Sequence, residues 1–269
     1  MVTLAGLFVY PVKSCRGIGL DAATLTDAGL ERDREWMIVT PDGRFLTQRE
    51  EPRLACIATR LESDALWLCA PGAAPLEVPF RRVGTATEVV VWRDRCRAHD
   101  EGAAAARWLE EFLGRSLRLV RFDDTHRRRS DGAWTGDTPA FARFADGFAM
   151  LAISRASLDD LNARLNKPLP MNRFRPNLVL DGLLPYGEDG LAEFGAGDDI
   201  RLRAVKPCTR CVITTTDQDT GKVDGVEPLA TLKTYRWNSS LKGVELGQNV
   251  IVVEGAGRAL ESGMEIRVA

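Results

Sequence analysis

Lys206-Pro-Cys-Thr-Arg-Cys-Val-Ile-Thr-Thr-Thr-Asp-Gln-Asp-Thr-Gly221 is the stretch on which the fold turns. Cys208 and Cys211 stand in C-x-x-C spacing, and a β-branched run, Val212-Ile-Thr-Thr215, follows them. That run predicts a strand, and Asp217-Gln-Asp-Thr-Gly221 predicts a tight turn, because Asp side chains accept from nearby backbone N–H groups and glycine tolerates positive φ. The cysteines therefore open onto a strand and not onto the helix that a dithiol redox motif requires. Outward in both directions the pattern repeats. Short β-branched or aromatic runs lie between Gly, Pro and Asp turns at 7–10, 36–40, 54–61, 66–69, 88–92, 117–122, 177–180, 200–205, 249–253 and 264–268. So many short strands at close spacing imply a mainly β (α+β) protein of barrels or curled sheets, not a doubly wound parallel sheet.

Two helices interrupt the strands. Residues 103–113 carry Trp108, Leu109, Phe112 and Leu113 on one stripe and stop at Gly114; residues 156–165 place Leu158, Leu161 and Leu165 on one face, with Ser154 or Ser157 as cap. Between them, His126-Arg-Arg-Arg129-Ser-Asp-Gly-Ala-Trp-Thr-Gly reads as a long surface loop, a boundary or a mobile lid.

Composition narrows the function. The 269 residues are 45% apolar and 28% charged, enough for a sizeable core and too charged for a membrane span or a disordered chain. A formal charge of −2 argues against nucleic-acid binding by bulk charge. Of the 36 cations only six are lysine, which leaves 30 arginines, the side chain suited to gripping anions through a planar fork. The N-terminus has no secretory pattern, so a cytoplasmic, thiol-reducing setting is expected. There Cys208 and Cys211 are ligand or redox groups, or a buried inert pair, while Cys15, Cys56, Cys69 and Cys96 read as small buried hydrophobes.

Four clusters can carry chemistry. The C-x-x-C pair has Lys206 and Arg210 beside it to favour thiolate. It can be half of a zinc site, although it lacks partners, or a dithiol, or one thiolate ligating a soft redox metal beside a supporting thiol. In Asn172-Arg-Phe-Arg-Pro-Asn177, Pro176 biases Arg175 toward extended geometry. Arg173 and Arg175 should then point one way and, with the Asn177 amide, form an anion clamp. Tyr10-Pro-Val-Lys-Ser14-Cys-Arg-Gly17 offers Lys13 and Ser14 as phosphate donors. Gly29-Leu-Glu-Arg-Asp-Arg-Glu-Trp36 places Arg32 and Arg34 on one side of an extended segment, or in an ion-pair ladder with Glu31, Asp33 and Glu35.

These clusters, with Gln48-Arg-Glu-Glu-Pro-Arg-Leu54, Phe144-Ala-Asp146-Gly and the 154–165 segment, follow one another in an order that resembles a known family. It is that of MOSC-domain proteins with an N-terminal MOSC β-barrel domain, which includes the mitochondrial amidoxime reducing component and its bacterial relatives. The resemblance runs over nearly the whole chain and implies an N-terminal MOSC-type β-barrel domain at 1–118 and a MOSC domain with flanking helices at 119–269.

It also implies a molybdenum cofactor (molybdopterin with Mo), ligated through Cys211, with Cys208 auxiliary. Lys13, Ser14, Arg34, Ser154, Arg173, Arg175, Asn177, Arg210, Thr214 and Thr215 would hold the cofactor. Asp146 would be the acidic residue beside the metal, able to relay or donate a proton if burial raises its pKa. The reaction implied is two-electron reduction of N-hydroxylated compounds to amine or amidine plus water; a non-catalytic cofactor carrier or sulfur-delivery module is the alternative. Pyridoxal phosphate binding is a further association of the family. Bacterial relatives often carry a C-terminal ferredoxin-like domain and mitochondrial ones an N-terminal targeting segment. With neither, the implied partner is a separate ferredoxin-, flavin- or cytochrome-type electron donor, with no nucleic acid or membrane. Asp146-Gly147-Phe148 departs from the Asp-Thr-Ser of relatives, so the substrate pocket is expected to differ in shape.

Overall fold

The computed structural model describes residues 1–81 and 84–268. Seven strands close a barrel: Val2–Val9, Leu178–Asp181, Met150–Ser154, Gly243–Glu254, Ile200–Thr209, Glu193–Ala196 and Glu265–Val268, the last pairing back to the first. Only the pair of Met150–Ser154 with Leu178–Asp181 is parallel, and the helix Arg155–Arg164 lies between those strands in sequence. Leu4, Leu7, Val9, Leu178, Leu180, Phe194, Leu202, Val250 and Ile266 pack in the barrel core. Leu4 and Leu7 break the period of two because a bulge between Leu4 and Gly6 resets the alternation.

A second, antiparallel sheet orders Trp36–Val39, Arg118–Phe122, Asp94–Asp100 and Thr85–Val91. A third joins Ala58–Leu61, Ala65–Cys69 and Leu76–Pro79, and the helix Ala103–Leu113 buries Ala105, Trp108, Leu109 and Leu113 in a core shared with Trp36, Leu54 and Leu68. The sheets are not consecutive halves of the chain. Val2–Val9 belongs to the barrel, Ala22–Thr26 pairs with Ala259–Glu261, and Arg118–Phe122 reaches back to the second sheet.

Three local expectations are corrected. Val212–Thr215 is a 3-10 helix, not a strand: Thr214 Oγ1 donates to Cys211 O at 2.9 Å and Thr215 Oγ1 to Val212 O at 2.8 Å. Hydroxyls that bond back three residues compete with strand pairing. Similarly, Pro52 opens a 3-10 turn over Pro52–Cys56, leaving only Ala58–Leu61 extended. The loop at 126–136 contains a helical turn, Gly132–Thr135, and is pinned beside the barrel. The anchor is the buried Arg128, which donates to Asp94 and to the carbonyls of Arg143, Ala145 and Asp146.

Candidate functional site

A cleft of about 1050 Å³ takes its lining from both the barrel and the second sheet. Its floor begins where the first strand ends. Tyr10 is buried against two guanidiniums, Arg34 Cζ at 4.2 Å and Arg175 Cζ at 4.3 Å from the ring centre, and its hydroxyl donates to Pro176 O at 3.0 Å. Burial pushes the Tyr10 phenol up to about 12 against the pull of Arg175 and Arg34. Lys13 N then donates to Trp36 O at 2.8 Å, and Ser14 turns left-handed at φ 67°, so both side chains line the cleft.

Lys13 Nζ donates to Phe144 O at 2.8 Å and pairs with Asp146 Oδ1 at 2.5 Å. Burial disfavours ionised Asp146, but the Lys13 ammonium, Arg49 and the Trp92 N–H together hold its carboxyl well below the usual carboxylate range. The condition set for a proton-donating Asp146, a pKa raised by burial, is not met: the balance of its partners favours the ionised form. Its side chain is 63% exposed to the cleft, so water softens this hold.

Arg34 and Arg32 do not share a side of an extended segment. Both have positive φ (45° and 63°); Arg32 turns out to Glu35 and the Phe80 ring, and Arg34 lines the cleft. Arg34 Nη1 donates to Asp33 Oδ2 at 2.6 Å and to Asn177 Oδ1 at 2.9 Å. Asn177, 1% exposed, also accepts from Leu151 N at 3.2 Å and donates to Phe8 O at 3.0 Å. It is chiefly a brace that fixes Arg34 to two barrel strands.

The clamp expected from Arg173 and Arg175 is also corrected. Residues 171–173 form a 3-10 turn, and Arg175 has a positive φ of 54°, against the extended geometry that a following proline favours. The two guanidiniums consequently diverge. Arg173, 2% exposed, reaches behind the cleft to Thr214 O, Thr215 O at 3.0 Å and Asp217 Oδ2 at 3.2 Å. Arg175 faces the cleft, its Nη1 donating to neutral Gln218 at 3.3 Å; burial lowers its pKa to about 10, with Tyr10 opposing.

The sulfur wall is set by the strand Ile200–Thr209, whose register against Gly243–Glu254 shifts three times, twice after Ala204. These bulges, one at the donor-less Pro207, bend the strand end so that Lys206, Cys208, Arg210 and Cys211 all line the cleft. Burial raises the Cys208 thiol, and Arg210, whose Nη1 lies 2.9 Å from its sulfur, pulls it back only partly. Cys208 is thus favoured as a neutral thiol. Cys211 caps the 3-10 turn from extended backbone, and its Sγ accepts from Arg49 Nη2 at 3.1 Å.

One cleft therefore gathers Lys13, Ser14, Arg34, Asp146, Arg175, Asn177, Arg210, Thr214 and Cys211. Three expected cofactor residues are used elsewhere. Ser154 is fully buried as the cap of the helix Arg155–Arg164, its Oγ 2.7 Å from Ser157 Oγ and its N–H donating to Glu188; Arg173 is a backing residue; and Thr215 closes the 3-10 turn. Two residues were missed, Arg49 and Trp92. Gln48 and Gln218 exchange side-chain hydrogen bonds at 3.0 and 2.9 Å, which ties the turn carrying Arg49 to the turn after Cys211. Trp92, at a hairpin tip with φ 57°, donates through Nε1 to Asp146 Oδ1 at 3.2 Å.

The donor set fits a bound anionic group that needs one soft ligand. Arg175 has a neutral partner, Arg210 Nε is buried without one, and Cys211 offers a thiol on the adjoining wall.

Comparison with known proteins agrees with this architecture. Residues 1–116 match the MOSC N-terminal beta barrel domain and residues 141–268 the MOSC domain. Mouse mitochondrial amidoxime-reducing component 1 is 39% identical over 248 residues, covering 87% of this chain and 71% of that protein. The bovine component 2 is 36% identical, covering 87% and 72%. Rice molybdenum cofactor sulfurase is 32% identical, covering 98% of this chain and 35% of that protein. The chain belongs to the family of MOSC proteins with an N-terminal MOSC β-barrel domain that includes the mitochondrial amidoxime-reducing components. No helix among the described residues is long and apolar enough to cross a membrane.

Proposed function

We propose that this chain is a molybdenum-dependent oxidoreductase that reduces N-hydroxylated compounds, with its cofactor in the cleft and Cys211 as the protein's ligand. The observation that carries the reading is that Arg175, with only a neutral partner, and Arg210, with a buried N–H unbonded, line the same cleft as the Cys211 thiol. Bound there, the cofactor supplies two-electron chemistry at a metal: R–NHOH plus two electrons and two protons gives R–NH2 and water.

The chain's own groups do the rest. Lys13, Ser14, Arg34 and Arg175 hold the pterin and its phosphate, their desolvation offset by fixed partners; Arg210 and Thr214 line the sulfur side. Asp146, ionised, accepts a hydrogen bond from a substrate N–H or O–H and passes on a proton only after taking one from water. Phe45, Trp92 and Phe148 give the cleft an apolar stretch of lining against which a substrate's hydrocarbon part can rest. Electrons come from a separate ferredoxin-, flavin- or cytochrome-type protein. The thiol-reducing cytoplasm suits six unpaired cysteines. Pyridoxal phosphate has no part in this reading.

The match to molybdenum cofactor sulfurase favours a second reading, a cofactor carrier or sulfur-delivery module. The test offers a hydroxylamine or amidoxime with a chemical reductant to protein purified from cells that make the cofactor. Amine or amidine formation that disappears in Cys211→Ala and survives in Cys208→Ala supports the reductase; bound molybdenum without either product supports the carrier.

A further inference from the structure

Arg49 stands apart from the set that holds the cofactor in the proposed function. Its neighbour Glu50 is engaged by Arg44 through two hydrogen bonds, at 3.0 and 2.9 Å, and no ion pair involves Arg49 among the described residues. Instead the guanidinium lies between the Cys211 sulfur, 3.1 Å from Nη2, and the Trp92 ring, whose centre is 4.9 Å from Cζ. Trp92 is itself held. Its indole N–H is bound to Asp146, its ring packs on Phe45 at 5.0 Å between centres, and its backbone is left-handed, an uncommon state for a bulky residue that persists only where the surroundings impose it. The arrangement braces a cation beside the one thiol proposed as ligand.

Lys206 adds a second cation on the same wall. It precedes Cys208 by two residues on one strand, lines the same cleft, and rests on Trp134 at 4.8 Å. Of the carboxylates that line the cleft, Asp146 is paired with Lys13 and Asp94 with Arg128, while Asp131 accepts from Ala133 N as a helix cap. Neither Arg49 nor Lys206 is in an ion pair among the described residues, so the sulfur side of the cleft presents two cations without a directly bonded carboxylate.

We propose that Arg49, braced by Trp92, is a specificity-determining residue that favours N-hydroxylated substrates bearing an anionic group, a carboxylate or phosphate, near the N–O unit. This rests on the reductase reading. A fork-shaped donor at a water-exposed mouth gives selectivity through hydrogen bonds and charge, and lysine recovers only the charge.

Two arms test it, both on the full chain. In cofactor-free protein, Cys211 is alkylated with anionic iodoacetate and with neutral iodoacetamide, and each rate is read by peptide mass spectrometry. Both reagents attack the same sulfur, so their rate ratio cancels the thiolate fraction and reports attraction of a small anion. The ratio should fall about fivefold in Arg49→Gln, less in Trp92→Ala, and recover in part in Arg49→Lys, with added salt shrinking all the differences. In cofactor-loaded protein, the preference for para-carboxybenzamidoxime over benzamidoxime should fall by a similar factor in Arg49→Gln, the loss appearing in KM. An unchanged alkylation ratio or an unchanged substrate preference overturns the proposal, and so does loss of molybdenum from Arg49→Gln, which would make Arg49 a cofactor residue. Should neither substrate be reduced, the reductase reading fails and the substrate preference falls with it, while the alkylation ratio still reports whether the wall attracts anions.

Discussion

Arg173 and Arg175 come from one short run, yet they serve two different regions of the molecule. Arg173 behind the cleft and Asn177 at its floor are almost fully buried, and between them they tie together Thr214, Thr215, Asp217, Leu151, Phe8 and Arg34. On the cleft face, Arg175, Arg49 and Arg210 have neutral or sulfur partners, or a buried N–H without one. The backing is the more heavily bonded region, with Arg173 Nε alone left without a partner on that side chain, and it holds shape; the face meets fewer charged partners and can receive a ligand. A buried polar group that loses its partner costs the fold directly, whereas an exposed cation such as Arg49 is hydrated in the absence of a ligand.

That contrast can be broken by substitution. Arg173→Ala removes a buried guanidinium and strands two carbonyls, so it should destabilise the protein by about 3 kcal/mol in urea unfolding. Loss of activity without loss of stability would move Arg173 to the cleft face. Asn177→Ala leaves Leu151 N and Phe8 O unpaired and frees Arg34, at a cost of about 2 kcal/mol. Arg49→Gln, on the face, should change stability by less than about 0.5 kcal/mol.

A pH titration sharpens the same comparison. Tyr10, at the junction of backing and floor, has its folded pKa raised from 10.0 to about 12 by burial, so its contribution is fully present below pH 10 and is lost as pH rises toward 12. Cys15, raised from 9.0 to about 12 by burial, acts in the same direction from a lower starting point. Stability should therefore decline between about pH 9 and 12. Tyr10→Phe should flatten the upper part of that decline; a slope identical to wild type would show that Tyr10 is not held neutral.

Much of this was legible in the sequence. Alternation and turn residues marked most barrel strands, and Gly114 marked the end of the first helix, because burial and local backbone preference act there in the same direction. At 212–215 they oppose one another: β-branched side chains suggest a strand, but threonine hydroxyls bond back to the turn. The arginine pairs failed for a related reason. Strand alternation was assumed across segments whose backbones become left-handed at Arg32, Arg34 and Arg175, so neighbours that should share a face part company. Ser154 had an equally good reading as a helix cap, and that is the role it takes. Arg49 lies in the Gln48–Leu54 stretch that carried the resemblance, but nothing local pointed it at the cleft, since a glutamine pair distant in sequence puts it in place; Trp92 carried a faint signal, a large aromatic at a hairpin tip. The arginine excess finds employment in both regions, bracing the backing and charging the face.

The central claim is that Cys211, and not Cys208, anchors a metal-bearing cofactor in this cleft. Molybdenum per chain, measured by mass spectrometry on wild type, Cys211→Ala and Cys208→Ala from cells that make the cofactor, tests it most directly. The account predicts on the order of one metal per chain in wild type and in Cys208→Ala, and roughly a tenth of that or less in Cys211→Ala. Metal retained in Cys211→Ala, or lost equally from both variants, would contradict it.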